Sequence, residues 1–345
     1  MQKRALVVGL GIAGMSAAIG LRRAGWTPVI VERAPERRTG GYFIFMFPEG
    51  VQAAADLGIA DHLHTRNPEW RPGGNSWSVD RRGRRKPALG LLDTPSGLAA
   101  VLRSDIEAAL WQGITGDGAE DPVEVRFATT PVEMTEGAGG VRVLLEDAGT
   151  GKQYREDFDL VVGADGMRSS VRRMVFGPDE DYLANWKAMI CAFQLKEQVP
   201  TYEASDRDSL EEAPDHVFDS IHQVKMDRWS KGRVVLVGDA AWCMNTYSAM
   251  GSSSSLRGGA ALGVALREHP GDLAAALDAW ETGLRPYITS QRRSARIKQQ
   301  RFVPSSRPVQ VLVSGVLDVV RSVVHRRLAA EFTAAAAAVP SGPAR

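Results

Sequence analysis

The most restrictive stretch of the chain is residues 5–32. Residues 5–8 are apolar, Gly9-Leu10-Gly11-Ile12-Ala13-Gly14 follows, residues 13–24 have helical spacing with Gly25 just past their end, and residues 29–31 are apolar again before Glu32. That order predicts a strand, a glycine turn, a helix and a second parallel strand, joined by a right-handed crossover. Each glycine has its own reason. Gly9 makes the tight exit from the strand, Gly11 lets the backbone approach a pyrophosphate, and Gly14 lets the helix lie close on the sheet. The free N–H groups of the first helical turn attract phosphate. The candidate phosphate contacts are therefore Gly9, Gly11, Ile12, Ala13 and Gly14.

Glu32 closes the second strand 18 residues after Gly14. A carboxylate there accepts both ribose hydroxyls of an adenosine and repels a 2′-phosphate, so the expected nucleotide is FAD or NAD and not NADP. Two further apolar runs end in a glycine and an acid. Residues 160–162 lead into Gly163-Ala164-Asp165-Gly166, and residues 234–237 lead into Gly238-Asp239. Three such strand ends converge naturally on one extended ligand.

The remaining organisation is read more coarsely. A helix is expected over 50–57, stopped by Gly58, and a hairpin over 75–92, turning at Gly83. A further helix is expected over 101–111, and an antiparallel meander from 123–127, 141–146 and 154–158. Long helices are expected at about 254–268 and 272–302. The segment 309–324 is broken by Asp318 and Arg321 and reads as an amphipathic helix on the body of the protein. One nucleotide-binding domain is thus assembled from separated stretches, with a sheet-rich region inserted between them.

The bulk numbers exclude several functions. In 345 residues, 42 Lys+Arg nearly balance 41 Asp+Glu, which supports neither a nucleic-acid partner nor a membrane-surface role. No uncharged apolar run reaches membrane-spanning length, and no signal-peptide pattern opens the chain. Cys191 and Cys243 form neither a disulfide framework nor a metal cluster, which suits a reducing, cytoplasmic setting. The six histidines are scattered; His62 and His64 stand two apart and do not share a helix face, so no metal is expected. The expected partner is a small molecule, and the expected state a monomer or homodimer.

With these residues in view, the chain resembles the group A flavin-dependent monooxygenases, the para-hydroxybenzoate hydroxylase-like family. The resemblance covers most of residues 1–180 and 215–305. Gly9–Gly14 with Glu32 and Arg33 matches the family's FAD adenosine site. Gly163-Ala-Asp165-Gly166 matches its DG motif, Gly238-Asp239 its GD motif, and Arg103 its arginine near the pyrophosphate and ribityl chain. The stretch 218–234 looks like the polyketide-tailoring and tetracycline-modifying branch. The resemblance implies an α/β fold. A Rossmann-like FAD-binding domain over 1–75, 96–178 and 229–300 would carry an inserted, shortened β-sheet substrate domain over 76–95 and 179–228. A C-terminal helix and frayed tail would occupy 301–345. It further implies reduction of FAD by NAD(P)H and transfer of oxygen from O2 to an electron-rich aromatic or enol carbon.

Two departures stand out. The family's Pro-x-x-Gly-x-Gly loop beneath the flavin ring is replaced by Trp242-Cys-Met-Asn-Thr-Tyr-Ser-Ala249-Met250-Gly251, in which only Gly251 remains. The serines at 252–255 can still cap a helix. Gly166 and Gly238 are also only 72 residues apart, which shortens the sheet that roofs the substrate. The leading expectation is an FAD-dependent monooxygenase that hydroxylates or epoxidises an aromatic or polyketide-like molecule of secondary metabolism. A redox-silent cyclase or rearrangement enzyme on the same FAD scaffold, and a non-catalytic ligand-binding relative, are the alternatives. Candidate FAD contacts are those above with Gly251. Phe45, Trp77, Trp186, Phe193, Phe218, His222 and Tyr247 are candidate pocket residues, each with core packing as the competing explanation. Arg37 or Arg38 is a candidate contact for the nicotinamide dinucleotide. No catalytic acid or base is assigned.

Overall fold

A computed structural model describes residues 2–37, 40, 42–67, 77–79, 82–87, 98–116, 122–193, 216–302, 305–309, 311–312 and 315–316. In chain order the first elements are β1 (Arg4–Val8), α1 (Ile12–Arg23), β2 (Thr27–Val31), β3 (Phe43–Met46), α2 (Pro48–Asp56), β4 (Trp77–Val79), β5 (Arg85–Pro87), β6 (Ala99–Leu102) and α3 (Arg103–Thr115). There follow β7 (Glu124–Arg126), β8 (Thr129–Gly137), β9 (Gly140–Asp147), β10 (Gln153–Phe158), β11 (Leu160–Gly163), α4 (Ser170–Val175), β12 (Leu183–Phe193) and β13 (His216–Val224). The last are β14 (Ser230–Lys231), β15 (Val234–Leu236), α5 (Asp239–Trp242), α6 (Gly251–Glu268) and α7 (Leu273–Phe302).

The described residues fall into two compact units. The first is built on a six-stranded sheet in the order β14-β15-β11-β1-β2-β7. β1 runs parallel to β2 and β11, β15 parallel to β11, and β7 parallel to β2. Ala5, Leu6, Val7, Leu160, Val161, Val162, Val235 and Leu236 have no exposed surface. Strands covered on both faces read as unbroken apolar runs, which is why these were legible in the sequence. The register pairs Val8 with Val31 and Gly163, and Gly163 with Leu236. The carboxyl ends of β2, β1, β11 and β15 therefore stand side by side along one edge.

Around this sheet the unit carries a three-stranded antiparallel sheet (β10-β9-β8) and the antiparallel pairs β3-β6 and β12-β13. The β4-β5 hairpin, turning at Gly83 with φ +72°, belongs to the second unit, as does the end of α7 from Arg296. The expected amphipathic helix at 309–324 lies mostly outside the described residues.

Two expectations need correction. The run at 123–127 is not a meander strand but the parallel edge strand β7. The meander's first member is β8, which the sequence reading missed. A register shift between Pro131 and Glu133 breaks its alternation, so no period-two pattern survives. The run at 101–111 opens as strand β6, and the helix starts only at Arg103. Asp105 fixes that boundary by accepting the Leu102 N–H at 2.8 Å.

The N-terminal and C-terminal stretches meet at α1 and α6. A Cβ on Gly263 would lie 2.4 Å from the Gly20 carbonyl oxygen, and one on Gly259 would lie 2.5 Å from the Ala17 nitrogen. The helices touch backbone to backbone, which only residues without a side chain permit. Beneath α6, the rings of Trp229, Trp242 and Trp280 lie 4.7–5.8 Å apart, and the Trp280 indole donates to the Gly258 carbonyl at 2.9 Å. Among the described residues no helix is long and apolar enough to cross a membrane, and no group of His, Cys, Asp and Glu is arranged to hold a metal ion.

Gly263→Val forces this helix contact apart. The expected cost is about 3 kcal/mol, at the upper end for overpacking, read as a lower urea midpoint. Gly283→Ala, at an exposed α7 position with nothing within 4 Å of the added Cβ, should instead raise the midpoint by up to about 1 kcal/mol.

Candidate cofactor and substrate site

The glycine turn lies at the tip of β1. Gly9 has φ +106°, and a Cβ there would meet the Ala164 carbonyl oxygen at 2.6 Å, so β1 and β11 touch through backbone alone. Gly14 is equally constrained, since its Cβ would fall 1.9 Å from the Gly9 oxygen. Gly11 differs: nothing lies within 4 Å of where its Cβ would be. Gly11 is also the N-cap of α1, with no side chain capping it and no acid in the first turn. The turn thus combines open space beside Gly11, a helix N-terminus with no side-chain cap and the positive end of a twelve-residue helix. A pyrophosphate fits there.

Glu32 stands at the tip of β2. One carboxylate oxygen accepts the Leu10 N–H at 2.9 Å, and the other accepts the Ala34 N–H at 2.9 Å. The acid therefore locks the glycine turn as well as presenting negative charge, and its remaining lone pairs stay available to a ribose. Arg33 beside it is exposed. Arg37 lies over the Trp111 ring, 5.3 Å from its centroid, while Arg38 lies outside the described residues.

Across the sheet, Gly238 has φ +66°, and its Cβ would meet the Ala13 Cβ at 2.6 Å. Asp239 opens α5 directly after it. Burial raises the Asp239 carboxyl above its ordinary value, while the Arg103 charge and a hydrogen bond from the Cys243 thiol pull it back. Arg103 is at the start of α3, donates its N–H to the Tyr42 carbonyl at 3.0 Å and pairs with Glu107 at 2.9 Å. The structure thus brings Asp239 within reach of the Arg103 charge, 136 residues away in sequence.

Asp165 is placed differently from its expected role. Its carboxylate accepts the Ser169 hydroxyl, the Ser170 N–H at 2.6 Å, the Ser170 hydroxyl at 2.8 Å and the Val171 N–H at 3.2 Å. It caps α4, so any contribution to a cofactor runs through the shape of the turn.

The loop before α6 keeps the path of a glycine turn without its glycine. Ala249 has φ +56°, a left-handed conformation that costs an L-residue roughly 1–2 kcal/mol. Asn245 has φ +65° and ψ +166°, a region normally left to glycine. The serine run does not cap the helix as expected: α6 begins at Gly251, ahead of it. Ser253 instead accepts the Phe47 N–H at 3.1 Å, and Ser254 accepts the Trp242 indole N–H at 3.3 Å.

Of the expected pocket residues, Trp186 and Tyr247 are brought together, with ring centroids 6.2 Å apart. Trp186 sits where β12 bulges between Asn185 and Met189, and Tyr247 lies in the loop before α6. Phe45 packs edge-on to Phe43 at 5.1 Å on β3. His222 pairs across the ladder with Asn185, and its Nδ1 lies 3.1 Å from the Ser220 hydroxyl. Trp77 belongs to the second unit. The side chains of Trp77, Phe193 and Phe218 lie outside the described residues.

One residue was missed. Arg172 on α4 has no exposed surface. It donates to the Ala240 carbonyl at 2.9 Å, to the Met167 carbonyl at 2.7 Å and to Asp179. It ties the turn after β11 to the turn after β15. The only signal in the sequence was a long cation amid apolar neighbours in Ser-Val-Arg172-Arg173-Met-Val, which reads equally well as a solvated helix face.

Comparison with known proteins agrees with this geometry. Residues 2–205 match a family model described as an FAD binding domain. An uncharacterized protein of Mycobacterium tuberculosis is 29% identical over 352 residues, covering 83% of this chain and 88% of the relative. A flavin-dependent monooxygenase from an unknown prokaryotic organism is 25% identical over 356 residues, covering 84% and 87%. The crystal structure of the tetracycline destructase Tet(51) superposes with a TM-score of 0.70 at 24% identity, covering 94% of this chain and 98% of that one, which establishes the common fold.

Arg172→Met removes the donor to the Ala240 and Met167 carbonyls and leaves Asp179 with Arg173 alone, and should cost about 3 kcal/mol in urea unfolding. Burial pushes the Asp179 carboxyl up, but bonds from Arg172 and Arg173 outweigh it and hold it below the ordinary aspartate range. Its stabilisation is complete above that range and is lost as pH falls through the lowered folded value. Asp179→Asn should therefore weaken the protein at neutral pH and flatten its acid limb. Ala249→Gly relieves the left-handed alanine and should raise the unfolding free energy by up to about 1 kcal/mol, read as a higher urea midpoint.

Proposed function

Because the chain belongs to the FAD binding domain family of group A monooxygenases and is an FAD-dependent monooxygenase, we propose that it hydroxylates or epoxidises an aromatic or polyketide-like small molecule with NAD(P)H and O2. The observation that carries this reading is the placement of Glu32 and Asp239. They stand at the tips of β2 and β15, three strand spacings apart on one parallel edge, with the glycine turn between them. At about 4.8 Å per strand the span is about 14 Å, suited to an elongated dinucleotide.

In this reading Gly9, Gly11, Ile12, Ala13 and Gly14 receive the pyrophosphate, while Glu32 and Arg33 hold the adenosine end. Arg103 and Asp239 take the ribityl chain, Gly238 and Gly251 leave room beside the ring, and Asp165 acts through its turn. When bound, FAD supplies the transfer of electrons from NAD(P)H and the activation of O2. The protein's part is to bind, orient and exclude water. Phe45, Trp186 and Tyr247 offer flat apolar surfaces for that. The discontinuous FAD-binding domain and the shortened substrate domain at 76–95 and 179–228 belong to the same proposal, as do a cytoplasmic location and a monomeric or homodimeric state. The likeness of 218–234 to the tetracycline-modifying branch, with the fold shared with Tet(51), supports a polycyclic substrate.

The purified protein reconstituted with FAD should be yellow. It should oxidise NAD(P)H faster when a fused-ring phenol such as 1-naphthol is added, and yield a product carrying one atom from labelled O2. NAD(P)H oxidation indifferent to every phenol and enol tried, with all oxygen recovered as peroxide, would sink the proposal. Product formation without O2 would move the assignment to the redox-silent scaffold.

A further inference from the structure

The Val224 N–H of β13 donates to the Cys243 carbonyl at 3.0 Å, so Cys243 lies along the edge of β13 that β12 does not occupy. Four residues on, the Tyr247 ring meets Trp186 of β12, with centroids 6.2 Å apart. Trp186 projects from the inner face of the β12-β13 pair: Ala184, Trp186 and Ala188 are half-buried, while Asn185, Lys187 and Met189 between and beside them are exposed. Gln223 pairs with Ala184 across the ladder and so shares that inner face. The chain from 243 to 247 therefore passes across the face from which Gln223 projects, and Asn245 is its midpoint.

Both residues carry a buried amide donor that is unmatched. Gln223 is 3% exposed and Asn245 8%, and neither side-chain nitrogen has a hydrogen-bond partner among the described residues. In Asn245 the other end of the amide is taken, since its Oδ1 accepts the Ser248 N–H at 3.3 Å. The nitrogen is thus the end left over, on a backbone held at φ +65°. A buried donor without an acceptor costs stability and is rare enough in folded proteins to need a reason. Two of them on facing segments point to one acceptor between them.

We propose that Gln223 and Asn245 are substrate-binding residues whose amide N–H groups hold one phenolic, enolic or carbonyl oxygen of the substrate while its ring lies against Trp186 and Tyr247. The proposal rests on the reading of the chain as a monooxygenase of aromatic or enol substrates. In such a substrate the oxygen substituent is what makes the neighbouring carbon electron-rich, so gripping it fixes which carbon is presented. The two donors also select. A site built to hydrogen-bond an oxygen discriminates against an analogue that lacks it, because its polar groups are then left unpaired. The positive φ at Asn245 has the same reading, since strain of that kind gathers at sites where it aims a group at a ligand.

The test is calorimetric titration of oxidised, FAD-reconstituted protein with 1-naphthol and with naphthalene, without NAD(P)H so that nothing turns over. Wild type, Gln223→Met and Asn245→Asp are compared, and each is also unfolded in urea. Wild type should bind 1-naphthol about tenfold more tightly than naphthalene, or better. Gln223→Met should lose about tenfold for 1-naphthol and nothing for naphthalene. Its urea midpoint should rise, because the thioether leaves no buried donor unmatched. Asn245→Asp keeps the acceptor for Ser248 and exchanges the donor for an oxygen, and should weaken 1-naphthol at least as much while sparing naphthalene. Wild type that binds 1-naphthol no better than naphthalene, or binds neither, would overturn the proposal. So would a Gln223→Met variant with a lower urea midpoint and unchanged 1-naphthol binding, which would make the amide a structural group. Variants that lose FAD affinity before any naphthol is added would assign the amides to the cofactor and overturn it too. Should the variants fail to fold, the crystal structure of wild type with 1-naphthol decides: its oxygen within hydrogen-bond distance of the two amide nitrogens supports the proposal, and an oxygen turned elsewhere refutes it. Protein that shows the expected preferences but oxygenates no phenol or enol would keep the two donors and refute the monooxygenase reading instead.

Discussion

The architecture depends on backbone meeting backbone around α1. At its N-terminal end the helix lies so close to the tip of β1 that a single added carbon on Gly14 would overlap the Gly9 carbonyl, and Gly9 in turn presses against Ala164 on the neighbouring strand. Further along, Gly20 meets Gly259 and Gly263 of α6 with no side chain between. Contacts this close tolerate no insertion of volume, because interiors pack near crystal density and cannot absorb even a methylene without strain. They bring three stretches distant in sequence to one sheet edge. The cofactor site is a consequence of that closeness: the uncapped helix end can face a phosphate only because the strand beside it is covered by nothing larger than hydrogen.

A second layer fixes the relation between the two later strand tips. Arg172 is an ionised group with no solvent contact, held by two carbonyls and Asp179. Such a group is costly to bury; here both terminal guanidinium nitrogens have acceptors, while the Nε is buried without one. It spans from the turn after β11 to the turn after β15, so the DG-like and GD-like motifs are tied together by one side chain. The Trp229, Trp242 and Trp280 cluster supports the same region from below with apolar mass.

Strain concentrates in the loop before α6. Asn245 and Ala249 both hold positive φ, and the Asn245 side-chain amide nitrogen is buried without a hydrogen-bond partner. Strain of this kind persists only where the surroundings over-determine it. Here those surroundings are the bonds that Ser248 donates to Asn245 and the seating of Tyr247 against Trp186. The loop conserves the shape that a glycine-rich segment takes easily, at an energetic cost, which is consistent with a requirement placed on the backbone by the site beneath it.

The sequence by itself determined the parallel sheet, its glycine turn and the acid at its edge. Strands buried on both faces must be apolar throughout, and a turn that admits a pyrophosphate must lack side chains; both demands are local and leave a local mark at residues 5–32, 160–166 and 234–239. Tertiary structure alone decided the rest. Whether 123–127 joined the meander or the parallel sheet depended on which edge was open to it. The strand at 129–137 was hidden by an irregular register. Asp165 is also a helix cap, and Arg172, unassigned from the sequence, is a buried brace. The influence of Arg103 on Asp239, and the pairing of Cys243 with β13, arise from distances across the fold that no spacing along the chain encodes.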